Sequence, residues 1–140
     1  MSAPSPGPQH NPSSSHEPMP SLTEQDRSIA VLAHLAALIA MVFTAGWLSF
    51  VGPLVIWFIY KDNNAFVRRA SAESFNFNLS MWLMAIAGWI CVLTLVLIPI
   101  GVLLLAVSFF GQIILHIIAA VKAHKGTNYQ YPMQFLKVLS

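Results

Sequence analysis

The sequence predicts an all-α integral membrane protein. The expected fold is a four-helix bundle of two hydrophobic hairpins, both termini cytoplasmic, with a disordered N-terminal tail. Three observations carry that expectation. Residues 74–121 are forty-eight consecutive residues without Asp, Glu, Lys or Arg. A helix needs about 20 apolar residues to cross the ~30 Å hydrocarbon layer, so this run is long enough for two crossings. Residues 28–60 form a second uncharged run of thirty-three. The 140 residues are 56 % hydrophobic and 9 % charged, against roughly 25 % charge in a soluble domain. Twelve charged side chains cannot cover so much apolar surface in water.

Residues 1–20 hold six of the nine prolines and five serines. So polar a segment buries too little surface to offset its ordering entropy, so it is predicted to be disordered. It has no basic region followed by an apolar core and a small-residue cleavage site, as a secretory signal would. Its prolines at 4, 6 and 8 lack the P-x-x-P spacing of a proline-rich ligand.

The membrane domain is predicted over 21–126. Ser21 and Glu24 match a capping box at a helix start, and the first span runs over about 28–45. At 100° per residue, Ala30, Ala33, His34, Ala37, Ala40 and Thr44 share one arc, opposite Leu32, Leu35, Ile39 and Val42. Small residues let helices approach closely, so the alanine face should pack inward and the leucine face should meet lipid. Gly46 breaks the run, and 47–60 forms a second span of only ~21 Å. Gly52-Pro53 within it should kink the helix. Trp47, Trp57 and Tyr60 stand where interfacial anchors belong.

The connector 61–74 reads as a short interfacial helix bearing Arg68, Arg69 and Glu73. With four spans, all seven Lys and Arg fall on one side of the membrane, and the turns near 44–47 and 98–101 carry none. The positive-inside rule then makes both termini and the connector cytoplasmic. Three spans would send the connector across with three basic residues.

The third span is predicted over about 75–97, with a turn at Ile98-Pro99-Ile100-Gly101 and a fourth span over about 101–121. A stripe from Glu73 runs through Asn76, Ser80, Ala87 and Cys91, and Asn78 lies away from it, nearer Trp82 and Trp89. In the fourth span Ser108, Gln112 and His116 share a face opposite Phe110, Ile113, Ile114 and Ile117. Gly126 suits a helix C-cap. The tail 127–140, with its Tyr129, Tyr131, Phe135 and Leu136, is expected to rest at the interface.

Helix rise places three polar residues at one depth. His34 lies seven residues beyond Arg27, His116 six before Lys122, and Ser80 seven beyond Glu73. All three sit about 9–11 Å inside the cytoplasmic boundary. With the shallower Asn76 and the deeper Gln112 they form the candidate site, an intramembrane polar layer of His34, Asn76, Ser80, Gln112 and His116. Intramembrane ionisable residues are functional suspects. Interhelical hydrogen bonding is the first reading of the two histidines, and a proton or ion relay is the second.

No catalytic residue and no cofactor are predicted: the chain has no H-E-x-x-H, G-x-S-x-G, phosphate-loop or dinucleotide motif. No metal site is predicted either, because one cysteine and two intramembrane histidines without a carboxylate make a poor ligand set. The expected partners are the lipid bilayer and either another membrane protein or further copies of this chain. Nucleic acid is not expected, since the basic residues are scattered over short segments. The functional expectation is a non-enzymatic structural or partner-binding subunit of an assembly in the cytoplasmic membrane. A small channel or carrier using the polar layer is the alternative.

Several motifs add a resemblance. Leu32-Ala33-His34-Leu35, Gly52-Pro53-Leu54-Val55-Ile56-Trp57, Lys61-Asp62, Ala72-Glu73-Ser74-Phe75-Asn76-Phe77-Asn78 and Ala119-Ala120-Val121-Lys122 leading to Tyr131-Pro132 lie along residues 25–136. In these the chain resembles small bacterial and archaeal membrane proteins of unknown function. Those are related to the twenty-kilodalton subunit of the chloroplast inner-envelope protein-import translocon. Ala65 departs from the pattern, where a proline is expected. The resemblance implies a four-helix membrane domain and a crossing by the short second segment. It implies no catalytic residues, and kinship of fold does not transmit a protein-conducting role.

Overall fold

The computed structural model describes residues 21–44 and 46–140. The tail predicted to be disordered lies outside the described residues. Four helices follow one another: α1 (Glu24–Thr44), α2 (Val51–Tyr60), α3 (Ala65–Leu93) and α4 (Ile98–His124). Three of them, α1, α3 and α4, are long and apolar enough to cross a membrane, whereas α2 has only ten residues.

The α1 cap sits two residues later than expected. The Thr23 amide donates to Asp26 Oδ2 at 2.9 Å and the Asp26 amide donates to Thr23 Oγ1 at 3.1 Å. Asp26 Oδ1 also accepts from Asn64 Nδ2. That tertiary bond favours the Thr23–Asp26 pair over Ser21–Glu24, because it joins the start of α1 to the start of α3.

Residues 46–50 are turns, with Gly46 at φ +89°, so α2 is shorter than the 47–60 span expected. Gly52 and Pro53 consequently fall in its first turn. There the amide that proline lacks would have no helical partner, and no kink is required. Gly52 instead brings α2 close to α1, where an added Cβ would stand 2.9 Å from Ala36 Cβ.

The connector helix and the third span are one continuous helix. Asn64 is its N-cap and accepts from the Phe66 and Val67 amides at 3.0 Å. No glycine or proline interrupts the chain before Gly88, so nothing separates the two parts. At 29 residues α3 is about 43 Å long, more than a bilayer core requires. Its excess holds Arg68, Arg69 and Glu73. The turn into α4 occupies residues 94–97, not 98–101, with Leu95 at φ +61°. Pro99 lies in the first turn of α4, the position its fixed φ suits. Gly101 serves packing rather than turning, since a Cβ there would lie 2.6 Å from Gly88 O.

Helices α1, α3 and α4 pack on one another, and α2 packs against α1 and α3. Ala30, Ala33 and Ala37 are buried on α1, as are Ala119, Ala120 and Ala123 on α4. Leu32, Ile39 and Val42 point outward. Alanine-to-alanine contact brings backbones close and leaves the large side chains for lipid. Gly126 follows the Lys125 C-cap of α4 in the left-handed conformation, at φ +77°. Residues 127–140 turn back, and Tyr131 enters the bundle with 5 % of its surface exposed.

Candidate functional site

The candidate site is a polar core closed by the C-terminal segment. On α1, buried alanines flank His34 and admit α4 closely enough for its ring to meet that of His116, at a centroid distance of 6.2 Å. The two imidazoles do not bond to each other. Tyr131 lies between them, with Oη 2.9 Å from His34 Nδ1 and 2.7 Å from His116 Nδ1. The phenol ring stacks on Phe77 at 4.2 Å and 11°.

The direction of these bonds follows from Asn78. Its Nδ2 lies 2.8 Å from Ser74 O and 2.9 Å from His116 Nε2. A backbone carbonyl only accepts, so the amide must present its nitrogen, and His116 Nε2 must accept. His116 therefore carries its proton on Nδ1 and donates to Tyr131 Oη. The phenol in turn donates to His34 Nδ1, which leaves the His34 proton on Nε2. That nitrogen is buried and has no partner among the described residues. The result is a one-way chain from Asn78 through His116 and Tyr131 to His34.

Asn76 and Ser80 do different work. Asn76 Oδ1 accepts from the Val138 and Leu139 amides at 2.8 and 2.9 Å, while its Nδ2 donates to Leu139 O at 2.8 Å. Ser80 Oγ donates to Asn76 O and accepts from the Phe135 and Leu136 amides at 3.1 and 3.2 Å. Two side chains of α3 thus satisfy backbone groups of the irregular C-terminal segment, each oxygen accepting from two successive amides. The five predicted residues divide three ways. His34 and His116 meet through Tyr131, Asn76 and Ser80 hold the C-terminal backbone, and Gln112 lies apart beside a separate cavity.

Residues 25–139 match the sequence profile of the magnetosome magnetite crystal formation protein family. The chain belongs to that family. No curated protein and no solved structure matches it. The match runs from the second residue of α1 through the C-terminal segment to Leu139, so His34, Asn76, Ser80, His116 and Tyr131 all lie within the family region. It also establishes a small magnetosome membrane-protein family where the sequence resemblance had pointed to small prokaryotic membrane proteins.

Two residues of this magnetosome-family site were not expected from the sequence. Asn78 falls outside the polar stripe that helical spacing predicts for α3, nearer Trp82 and Trp89. In the structure Ser74, Asn76, Asn78 and Ser80 are all buried, because α1 and α2 cover α3 on one flank while α4 and the C-terminal segment cover the other. Tyr131 lies 97 positions from His34 in an irregular segment, where helical periodicity carries no information. The only sequence signal for it was a concentration of aromatics after a helix end. Among the described residues no group of three His, Cys, Asp or Glu could hold a metal ion.

Proposed function

We propose that the protein is a non-enzymatic structural or partner-binding subunit of the magnetosome membrane. In this reading it spans the bilayer four times, with the ends of α2 and α4 and the starts of α1 and α3 on the cytoplasmic face. The charged residues from Glu24 to Lys137 all belong to that end, and the opposite turns, 46–50 and 94–97, carry none. Positive-inside bias supports the orientation. Without a carboxylate in those turns, the lumenal side offers poor ligands for hard iron ions. The contribution to crystal formation then runs through assembly rather than through direct iron binding.

The single observation that carries this reading is the latch. Residues 127–140 are tied to α1 and α4 through Tyr131 and to α3 through Asn76 and Ser80, which joins three helices and the tail into one unit. Asn78 ends the hydrogen-bonded chain in an amide, a group that does not relay protons, so the arrangement favours a fastening over a conduction path. Affinity purification from magnetosome membranes tests this. A stable partner should co-purify with the native chain and be lost from Tyr131→Ala. Proton or ion flux in proteoliposomes, abolished by His34→Ala, would replace the subunit reading with that of a small carrier. For topology, Cys91→Ala chains carrying Asn64→Cys or Ile100→Cys should react with an impermeant thiol reagent on opposite sides of the membrane.

A further inference from the structure

Beyond the latch, the bundle contains a cavity of about 730 Å³ between α1, α3 and α4. Gly88 and Gly101 draw α3 and α4 together on its far side, and Phe77 and Met81 fill the core on its near side. Small residues such as Ala85 leave the space between. Its rim includes Val42, Trp47, Trp89 and Phe109, all exposed on the flank of the bundle, so it opens sideways toward lipid. Three of the four tryptophans in the chain line it: Trp47, Trp82 and Trp89.

The wall is apolar apart from Ser108 and Gln112. The Ser108 hydroxyl is satisfied, donating to Met81 O at 2.8 Å. Gln112 is not. It is 6 % exposed, and its Oε1 is enclosed without a hydrogen-bond partner among the described residues. Gln112 lies ten residues before Lys122, about 15 Å along the helix and hence near the bilayer mid-plane. Phospholipid headgroups do not reach that depth, and an acyl chain has no polar group to offer there. An occupant that is largely apolar and carries a polar group into the hydrocarbon would pair Gln112 once its carboxamide turns toward the cavity. A helix about 10 Å across does not fit the cavity, whereas its volume lies within the range of small-molecule sites, roughly 300–1,000 Å³.

We propose that this cavity binds the headgroup of a membrane quinone. The planar ring packs among the indoles, and the isoprenoid tail leaves through the lateral opening. A carboxamide suits both redox forms, because its N–H donates to a quinone carbonyl and its oxygen accepts from a quinol hydroxyl. The proposal rests on the membrane-spanning reading and is independent of the subunit role.

The test uses the full chain carrying Trp57→Phe, which removes the one indole outside the cavity, in nanodiscs of quinone-free phosphatidylcholine. Titration with decylubiquinone, and separately with menaquinone-4, should quench tryptophan emission saturably. Gln112→Leu should weaken binding about tenfold, the effect of one well-made hydrogen bond. Its unfolding midpoint should hold or rise, since leucine removes an unpaired carbonyl. Quenching that grows linearly and equally in both proteins would be ordinary partitioning and would overturn the proposal. So would a lowered midpoint for Gln112→Leu without a change in affinity, or a loss of oligomer mass, which would assign the cavity to a second copy.

Discussion

Tyr131→Phe removes one oxygen from the molecule and leaves the ring stacked on Phe77. That oxygen makes two bonds, at 2.9 Å to His34 and 2.7 Å to His116, and both partners are fully buried. Interhelical hydrogen bonds in membranes average ~0.6 kcal/mol and reach about 1.7. His116 and Tyr131 are buried, so losing the phenol oxygen leaves the His116 Nδ1–H donor unpaired, which favours the upper part of that range. The expected loss is about 2 kcal/mol for the pair. Unfolding in mixed detergent micelles, followed by helical signal, measures it directly. Tyr131→Phe should also couple with His116→Ala in a double-mutant cycle by at least ~0.5 kcal/mol. A shift under ~0.3 kcal/mol, or simple additivity, would refute the one-way chain through the phenol.

Other consequences follow from the same contacts. Asn76→Ala deletes three bonds to the backbone of residues 138–139. It should make the C-terminal segment cleavable by carboxypeptidase at least several times faster, with the helices intact by circular dichroism. Gly101→Val places a branched side chain where even a Cβ would lie 2.6 Å from Gly88 O. It should cost about 3 kcal/mol or prevent folding, measured as loss of monodisperse protein after extraction. Asn64→Ala removes the α3 cap and the bond to Asp26 together, and should lower stability by about 1–2 kcal/mol in the same micelle assay.

Much of the helical architecture was legible in the chain. Uncharged runs, the spacing of alanine against leucine on α1, and the Gln112–His116 face on α4 all reflect a local rule: each helix presents small or polar residues inward and large apolar ones to lipid. Boundaries were less legible, and each miss has a local cause. Pro99 suggests a turn and Pro53 a kink, yet both occupy first turns, where a missing amide costs nothing. Arg68 and Arg69 suggested an interfacial helix separate from the third span. Charge alone does not stop a helix, and Asn64 simply started the longer one.

By itself, the sequence determined that this chain is helical, that its two long uncharged runs are apolar enough to cross a bilayer, and that its charges lie outside those runs. Those properties are set by composition and by 3.6-residue periodicity. The tertiary structure alone decided what the buried polar residues do. Whether His34 meets His116 directly, bridges through Tyr131, or faces Ser80 depends on how far apart α1 and α4 stand and where an irregular tail folds back. Neither quantity has a local signature. The polar layer thus became a fastening, made by one tyrosine between two histidines and by two α3 side chains that satisfy the backbone of the C-terminal segment.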